Sequence, residues 1–310
     1  MEKLAKRSDA RGGLTPNAKR KAVSNFLLGM LYLGPMLFLM SVFIFYPILK
    51  TLYYSFYSTN PRGVPVLFVG LDNYINLVTS DSFLTSMKAT FLYVLYTVPI
   101  GVALALFLAV IASEKLRGIE FFRVIFSSTV GISVAAGSTI WLFIFHPSIG
   151  LLNRVLGYAG ISPIAWLTDS DWALISVSIT SIWMGIGFNF IILLGGLQSI
   201  PEDIYESATI DGAGYWTKLF RITLPMVSPS LFFVIIVTVI HSFQSFGQID
   251  ILTQGGPAES TNLIVYSIFQ NAFIHYKFGV ASAQAIILFI VVLIVTVIQF
   301  KVGEKKVHYQ

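Results

Sequence analysis

The sequence predicts an all-α, polytopic membrane protein with six transmembrane helices and both termini in the cytoplasm. Composition is the first of three observations behind this prediction. Of the 310 residues, 55% are hydrophobic and only 11% are charged, and the mean hydropathy is +0.78, whereas about a quarter of the residues of a soluble domain are charged. In addition, the apolar residues form six long runs, and the basic residues are concentrated between alternate runs. An ordinary water-soluble enzyme is excluded.

Each apolar run is long enough to cross about 30 Å of hydrocarbon as a helix of roughly 20 residues. The approximate bounds of the runs are 26–49, 87–112, 124–145, 172–197, 226–247 and 279–300. Helix is predicted because a lipid-exposed backbone must satisfy its own hydrogen bonds, and the runs lack the alternation of a barrel strand. The first run exceeds the apolar region of a cleaved signal peptide. Residues 26–300 are therefore predicted to form one transmembrane domain.

The basic residues determine the predicted orientation. A cytoplasmic N-terminus places most of the 20 Lys and Arg residues on the cytoplasmic side, as the positive-inside bias requires. The residues on that side are Lys3, Lys6, Arg7, Arg11, Lys19, Arg20, Lys21, Lys115, Arg117, Arg123, Lys218, Arg221, Lys301, Lys305 and Lys306. The segment 1–25 and the tail 301–310 are then cytoplasmic. The segment 1–25 is interpreted as a solvated anchor, and no nucleic-acid partner is expected.

The stretch 198–225, between the fourth and fifth runs, is the most polar internal segment and is predicted to be cytoplasmic. Pro201 suits the first turn of a helix, and the acidic residues after it favour the positive end of the helix dipole. Gly212 predicts the end of that helix. A second short helix is predicted over about 215–222, ended by Pro225. A simple connection needs far fewer residues, so this loop is predicted to have a function of its own.

The same loop carries a motif. Its spacing resembles the EAA loop of the permease subunits of binding-protein-dependent ABC importers. The residues that match the pattern are Glu206, Ser207, Ala208, Asp211, Gly212, Ile222, Leu224 and Pro225. Ser207 stands where the pattern has an alanine, and its small side chain still permits close packing. The alternative interpretation is a merely amphipathic loop.

The resemblance implies the type I permease fold of ABC importers and a set of partners. In that family the first helix of the loop docks in a groove of a separate ATPase subunit, so Glu206 is expected to contact the ATPase. The implied partners are a second, non-identical permease, two ATPase subunits, an extracytoplasmic solute-binding protein and the lipid bilayer. ATP and Mg²⁺ are expected on the ATPase subunits, with no cofactor bound by this chain. The implied location is the cell membrane of a prokaryote.

Further segments resemble the carbohydrate branch of the same importers. One is 68–74, after the first run, and another is 253–257, after the fifth run. The residues that this resemblance assigns to contact with the solute-binding protein are Thr253, Gly255, Gly256 and Pro257. The alternative is a tight turn, which Gly and Pro favour by themselves. The C-terminal end, 297–310, resembles the permeases that import sn-glycerol-3-phosphate, so this solute or a related glycerophosphodiester is expected.

Polar residues in the fourth and fifth runs predict where a solute passes, because such residues face a bundle interior or a watery cavity. In the fifth run, helical spacing places several on one face, namely Thr238, His241, Gln244, Ser245 and Gln248. In the fourth run, similar spacing relates Ser178, Ser181, Gly185 and Asn189. Both stripes are predicted to line the pathway. The alternative is hydrogen bonding and packing between helices.

Small residues predict close packing in two other runs. In the second run they are Thr97, Gly101, Ala105 and Ala109, and in the third run they are Ser127, Gly131 and Ala135. Each set falls on one face of a continuous helix. We expect neighbouring helices to approach closely at these faces.

The predicted solute and the predicted pathway disagree on one point. A phosphate is normally bound by Arg, Lys or backbone N–H groups, and no Arg lies inside a predicted run. Either a partner protein recognises the phosphate, or the solute is an uncharged sugar or oligosaccharide. His241 either donates to a phosphate oxygen or is satisfied inside the bundle.

Catalytic and metal sites are not predicted, so the chain is not expected to be an enzyme. It lacks the phosphate-binding loop motif of P-loop ATPases. It has no cysteine and only four histidines, which give no metal-ligand cluster. A self-sufficient secondary transporter is the alternative from another class, although the acidic residues that could couple ions lie outside the middle of the runs.

Overall fold

The computed structural model describes residues 16–114 and 116–303. Helices account for most of these residues, and the strands in the described part of the chain form one short hairpin. The chain divides into two compact units, one that ends at Tyr53 and one that begins at Tyr54. The first 15 residues of the predicted basic segment and the last seven of the predicted tail lie outside the described residues.

A long helix makes up the described part of the first unit and ends two residues beyond it. Its parts are α1 (Pro16–Met40), a π-helical turn (Ser41–Phe45) and α2 (Tyr46–Ser55). The apolar stretch Ser24–Ser55 has 32 residues with a mean hydropathy of 2.1, which is long enough to cross a bilayer. It contains the predicted run 26–49. The helix begins at Pro16, so residues 16–25 are helical although no helix was predicted there.

A hairpin and a short helix follow. The strands are β1 (Tyr57–Thr59) and β2 (Pro65–Phe68), which pair antiparallel, and the helix is α3 (Asp72–Val78). Asn73 Nδ2 donates to the carbonyl oxygens of Ser55 and Tyr57, at 2.9 and 3.2 Å. Tyr74 Oη donates to Ser55 Oγ at 2.6 Å. These bonds fasten α3 to the end of α2 and to the hairpin.

The second apolar run is the helix α4 (Asp81–Ser113), which extends beyond the predicted bounds 87–112 at both ends. The third run differs from the prediction. It forms α5 (Ile119–Ser127), a 3₁₀ turn (Ser128–Gly131) and α6 (Val134–Ile144), and the two halves are bent by 106°.

The bend has a local cause. Ile132 and Ser133 have extended backbones, and Ser133 Oγ accepts a hydrogen bond from Ala136 N at 3.2 Å, so that Ser133 caps a new helix. A serine N-cap stabilises a helix start by about 1 kcal/mol. The packing face predicted for Ser127, Gly131 and Ala135 is therefore wrong, because the bend separates Ala135 from the other two residues.

The fourth run is continuous. After α7 (Leu151–Tyr158), the helix α8 (Ser170–Gln198) covers the predicted bounds 172–197. Asp169 caps it, with Asp169 Oδ1 accepting from Asp171 N at 2.8 Å.

Helices α4 and α8 make the most extensive helix contact in the described part of the chain. The small residues of α4 lie at this contact. Ala105 and Ala109 are fully buried and belong to the same core cluster as Leu193 and Leu197 of α8. Gly101 faces Ile182, whose side chain would lie 3.7 Å from an added Cβ. The packing face predicted for the second run is confirmed.

The polar loop contains α9 (Glu202–Ile210), and a second helix follows it. This second helix consists of α10 (Tyr215–Lys218), a π-helical turn (Leu219–Thr223) and α11 (Leu224–Met226). The prediction that Pro225 ends it is wrong. A proline ring normally collides with the carbonyl one turn earlier, and the wider π turn just before Pro225 relieves that collision. The helix ends at Met226 and is bent by 63° from the next one.

The helix of the fifth run ends earlier than predicted. Helix α12 (Ser228–Phe243) stops before the predicted end at 247, and a new short helix, α13 (Gly247–Leu252), begins after a break. Helix α14 (Ile264–Phe269) continues into a π-helical turn (Gln270–Ile274). The last helix, α15 (Phe278–Gly303), covers the predicted run 279–300.

By length and hydropathy, four described helices can cross a membrane. They contain the first, second, fourth and sixth predicted runs. The described part of the chain reaches six spans if each bent helix pair is counted as one span. The bent pairs correspond to the third and fifth predicted runs.

The seam between α4 and α8 gives a matched test of packing. Ala105 is fully buried there, whereas Ala103, two residues earlier, is exposed. We expect Ala105→Leu to lower the free energy of unfolding by about 1–3 kcal/mol, because extra methylenes do not fit a close-packed core. Ala103→Leu is expected to have little effect. Thermal unfolding of both variants in the same detergent measures the difference, and equal stability would contradict the assigned seam.

Candidate functional site

A cavity of about 610 Å³ lies where α4, α8 and α12 meet the interruption between α5 and α6. Its wall combines hydroxyl, amide and imidazole groups with apolar side chains. The polar residues of the wall are Tyr93, Thr97, Thr129, Ser181, Asn189, Thr238, His241, Ser242, Gln244, Ser245 and Gln248. This lining contains no Lys, Arg, Asp or Glu. Such a wall can bind a polar solute through neutral hydrogen-bonding groups.

The polar stripe predicted on the fifth run reaches this cavity, but not as one helical face. Thr238 and His241 belong to α12, Gln244 and Ser245 follow its end, and Gln248 belongs to α13. All five residues line the cavity. The break in the helix therefore gathers side chains that the spacing assigned to a continuous helix.

A hydrogen-bonded chain joins three helices at one side of the cavity. Tyr93 Oη donates to Ser181 Oγ at 2.7 Å and lies 3.0 Å from Ser245 Oγ. Ser245 Oγ in turn donates to Gln248 Oε1 at 3.1 Å. The sequence prediction missed Tyr93. Tyr93 is a polar residue within an apolar run, one turn before Thr97. This position could have indicated that it faces the bundle interior or a cavity.

Asn189 bonds a neighbouring helix and also lines the cavity. It is only 4% exposed, and its Oδ1 accepts from Thr238 Oγ1 at 3.2 Å, so it links α8 to α12. It also lines the cavity, together with Ser181 and Gly185. Ser178 does not line it, and its hydroxyl donates to the carbonyl of Leu174 in its own helix.

The interruption of the third run is anchored to α8 beside the cavity. Thr129 Oγ1 accepts a hydrogen bond from the backbone N–H of Gly187 at 2.9 Å. A Cβ at position 187 would lie 2.5 Å from that oxygen. A glycine at this position therefore allows the 3₁₀ turn to approach the helix.

A second cavity, of about 730 Å³, lies between α9, α10 and the C-terminal end of α4. Its wall carries charges of both signs, namely Glu114, Arg123, Glu202, Glu206 and Lys218. The Arg123 guanidinium caps the end of α4, because Nε and Nη2 donate to the carbonyl of Ala112 at 2.9 and 2.7 Å. This contact is favourable, since cations stabilise helix C-termini.

Helix α9 lines the second cavity along its first part and is exposed at its end. Glu202, Tyr205 and Glu206 line the second cavity. Ile210, which does not, is 87% exposed. Of the matched motif residues, Glu206 and Ser207 are exposed and Ala208 is half-buried.

A closed set of hydrogen bonds connects α9 to the helix that follows. Tyr205 Oη lies 3.0 Å from Thr223 Oγ1, and Thr223 Oγ1 donates to the carbonyl of Lys218 at 3.2 Å. Lys218 Nζ donates to Thr209 Oγ1 at 2.7 Å, and Thr209 Oγ1 donates to the carbonyl of Tyr205 at 2.6 Å. These bonds hold the two helices of the loop in one arrangement.

The end of α9 is a Schellman motif. Ala213 N donates to the carbonyl of Ala208 at 2.9 Å, and Gly212 N donates to that of Thr209 at 3.0 Å. This pattern requires a left-handed residue after the helix, and Gly212 has φ = +77°. Asp211 is the C-cap residue. The prediction that Gly212 ends the helix is confirmed.

The remaining motif residues lie in the second helix of the loop. Ile222 belongs to its π turn, and Leu224 and Pro225 belong to α11. All three are half-buried. They support the end of the loop that joins α12.

Residues 253–257 form the predicted tight turn. Thr261 Oγ1 donates to the carbonyl of Gly256 at 2.6 Å and to Thr253 Oγ1 at 2.8 Å. Gly255 has φ = +83°, and a Cβ there would lie 3.1 Å from the ring of Tyr266. Burial raises the pKa of the Tyr266 phenol, and the nearby Asp250 carboxylate raises it further. Contact of Thr253, Gly255, Gly256 and Pro257 with a solute-binding protein remains a prediction.

Comparison with known families identifies the chain. Residues 78–309 match the family described as the binding-protein-dependent transport system inner membrane component. The chain belongs to this family. Both cavities, α9 and the turn at 253–257 all lie within the matched residues. The chain is thus an ABC importer permease, an inner membrane protein with several apolar helices.

Curated relatives resemble nearly the whole of this permease. The sn-glycerol-3-phosphate transport system permease protein UgpA of Agrobacterium fabrum is 34% identical over 288 residues, which are 92% of this chain and 97% of the relative. The protein of the same name from Yersinia enterocolitica is 33% identical over 297 residues, which are 95% of this chain and 100% of the relative.

Solved structures share the fold of this permease. A bacterial ABC transporter involved in the import of the acidic polysaccharide alginate superposes with a TM-score of 0.81. The aligned region covers 93% of this chain and 99% of that chain, at 22% identity. The bacterial alginate ABC transporter in complex with an alginate pentasaccharide-bound periplasmic protein gives the same TM-score, over 92% of this chain and 96% of that chain, at 22% identity. At this identity the likeness shows the fold alone.

Within residues 16–114 and 116–303 of this permease, no group of three or more His, Cys, Asp or Glu side chains is arranged to hold a metal ion.

The end of α9 in this permease allows a matched glycine test. Gly212 has φ = +77°, whereas Gly214 has φ = −71°, and neither has an atom within 4 Å of a built Cβ. We expect Gly212→Ala to destabilise the end of α9 by about 1–2 kcal/mol, the cost of a left-handed L-residue. Gly214→Ala is expected to have little effect. Hydrogen exchange of the α9 amides checks this, and equal protection in both variants would contradict the assigned cap.

Proposed function

We propose that this permease forms, with a second and non-identical permease, the membrane pathway of an ATP-driven importer of sn-glycerol-3-phosphate or a related glycerophosphodiester. The observation that carries the solute assignment is the 33–34% identity, over about nine tenths of the chain, to permeases named for sn-glycerol-3-phosphate transport. Six spans with both termini in the cytoplasm belong to this proposal. The alternative of a self-sufficient secondary transporter is disfavoured by membership of a binding-protein-dependent family.

The pathway in this proposal passes through the cavity of about 610 Å³. Its size suits a small polar solute, since ligand sites commonly measure 300–1,000 Å³. His241 and Gln244 are exposed in its wall, and both side chains can donate hydrogen bonds to hydroxyl or phosphate oxygens. Asn189, Ser245 and Gln248 complete the proposed contacts.

Recognition of the phosphate is assigned to the partners. The cavity wall has no cationic Lys or Arg, and these are the side chains that best bind a phosphate dianion. We therefore assign the strong phosphate contacts to the solute-binding protein or the second permease. A weak site in this chain is compatible with transport, because a pathway has to release its solute.

The uncharged wall also favours a second candidate solute, an uncharged sugar or oligosaccharide. Hydroxyl and amide groups pair well with sugar hydroxyls. The chemistry of the wall alone supports both solutes. The names of the near-full-length relatives favour the phosphate ester.

Energy is supplied by two ATPase subunits in this proposal. ATP and Mg²⁺ bind there, and this chain binds neither. Helix α9 docks on an ATPase through its exposed face around Ile210, and the acidic Glu206 lies near that contact. Nucleotide changes access to the cavity only if it binds one conformation of the assembly better than another.

The coupling loop is suited to pass on this motion. The bonds among Tyr205, Thr209, Lys218 and Thr223 hold α9 to the second loop helix. That second helix adjoins α12, which carries Thr238 and His241 of the cavity wall. Movement of α9 is thereby transmitted to the pathway. On the opposite side of the membrane, the turn at 253–257 is proposed to contact the solute-binding protein.

Uptake measurements test the solute and the pathway together. In vesicles that hold the complete importer, we expect ATP-dependent uptake of radiolabelled glycerol-3-phosphate that excess maltose does not reduce. Uptake of the sugar instead would overturn the solute assignment and support the second candidate.

Two threonine variants, one in the cavity wall and one outside it, test the pathway in the same vesicles. Thr238→Val removes the hydroxyl that lines the cavity and bonds Asn189. It is expected to lower uptake about 2- to 10-fold, which corresponds to one net hydrogen bond. Thr139→Val is the matched control, because that exposed hydroxyl bonds its own helix and does not line the cavity. Equal uptake by both variants would place the pathway elsewhere.

The docking surface has its own test. We expect Ile210→Asp to abolish co-purification of the ATPase subunits, because a carboxylate would have to be buried in an apolar contact. Val64→Asp is the control, since Val64 is exposed in the hairpin, away from α9. Retention of the ATPase by the Ile210→Asp variant would show that α9 docks through another face.

A further inference from the structure

Three large aromatic side chains are exposed on the second helix of the polar loop. Tyr215, Trp216 and Phe220 are 54%, 67% and 60% exposed. The rings of Trp216 and Phe220 are stacked, with centroids 6.0 Å apart and planes 18° apart. Tyr215 meets Trp216 edge-on at 5.5 Å. They form a continuous patch, here called the aromatic shelf. Exposed clusters of this kind mark a contact with a membrane or a protein.

Basic groups accompany the aromatic shelf. Arg221 follows Phe220 in sequence and is exposed. Lys218 is half-buried and donates to Thr209. By contrast, the first helix of the loop carries four acidic residues at its start, along its length and at its end, namely Glu202, Asp203, Glu206 and Asp211. The two helices therefore present surfaces of opposite charge, and the aromatic shelf belongs to the basic one.

The helix geometry places the aromatic shelf at a bilayer surface. Helix α12 has 16 residues, so it is about 24 Å long at 1.5 Å per residue and does not cross about 30 Å of hydrocarbon by itself. The preceding helix, Tyr215–Met226, is bent from it by 63°. Its 12 residues span about 18 Å and advance roughly 8 Å along the α12 axis. Trp216 therefore lies near the end of this bent helix pair that is remote from the cavity of about 610 Å³.

We infer that the aromatic shelf inserts into the headgroup boundary of the bilayer, where Arg221 binds the phosphate groups of anionic phospholipids. Trp and Tyr are enriched at this depth, because one part of the ring is apolar and the other is polar. Arginine pairs with phosphate through two parallel hydrogen bonds.

This inference rests on the proposed function only for the statement that α9 contacts the ATPase. The lipid contact itself follows from helix length, bend angle and exposed side chains. Loss of ATPase binding and loss of lipid contact are measured separately, so either can fail without the other.

Spin labelling tests the aromatic shelf. The chain has no cysteine, so Trp216→Cys and Phe220→Cys each give one labelling site in this subunit. Ile210→Cys on α9 is the matched exposed control. The variants are reconstituted in nanodiscs of phosphatidylcholine and phosphatidylglycerol, as permease pair and as complete importer. Accessibility of the nitroxide to oxygen and to a water-soluble nickel chelate is then measured.

We expect labels at 216 and 220 to be accessible to oxygen and shielded from the nickel chelate, with or without the ATPases. The label at 210 is expected to be accessible to the chelate in the permease pair and shielded in the complete importer. Chelate access at 216 and 220 that the ATPases abolish would overturn the inference and assign the aromatic shelf to protein contact. Chelate access in both states would overturn it as well.

A second measurement addresses Arg221. Replacing phosphatidylglycerol with phosphatidylcholine is expected to increase the motion of the label at 216. Arg221→Gln is expected to remove this dependence on anionic lipid, whereas Arg154→Gln, at an exposed arginine of α7, is expected to keep it. If the motion never depends on anionic lipid, or if Arg221→Gln leaves the dependence unchanged, the assigned phosphate contact is wrong.

Discussion

Backbone hydrogen bonding inside hydrocarbon is the constraint on which the rest of this structure depends. Lipid offers no partner for an N–H or C=O group, so a chain that crosses it must remain helical wherever lipid touches it. The helices break after Gly131 and after Phe243, and both breaks border the same polar cavity. There, side chains can substitute for the missing backbone partners. Ser133 does so by accepting from Ala136 N. The helix breaks therefore occur beside the polar cavity because backbone groups must be hydrogen-bonded inside hydrocarbon.

Between the two cavities lies a closely packed seam between α4 and α8. Along α8, the first cavity ends near Asn189 and the second begins near Leu197. The intervening seam is filled by Ala105 and Ala109 of α4 against Leu193, all fully buried. Close-packed cores deform little. We therefore expect the α4–α8 pair to act as a rigid support for the motion that the proposed function requires.

The sequence predicted where the chain is apolar better than where it bends. Hydropathy located every run because it averages over about 20 residues, but such averaging does not detect a single extended pair such as Ile132 and Ser133. The residues of the polar stripe on the fifth run line one cavity, but they do not form one helical face, since Gln244 lies beyond the helix end. Tyr93 was missed because its partners, Ser181 and Ser245, are distant in sequence. The loop motif was recognisable from spacing alone, whereas the direction of its faces required coordinates.

The π-helical turn at Leu219–Thr223 sets an angle as well as accommodating a proline. A π turn contains one residue more than the α-helical pattern, and each residue of a helix turns the chain by about 100°. The inserted residue thus rotates everything before it relative to α12. Without it, Trp216 would point about a quarter of a circle away from its present direction. The number of residues in the π turn therefore sets the orientation of the preceding helix. Deletion of one residue from Leu219–Thr223 would rotate the surface that carries Trp216 without changing Trp216 itself.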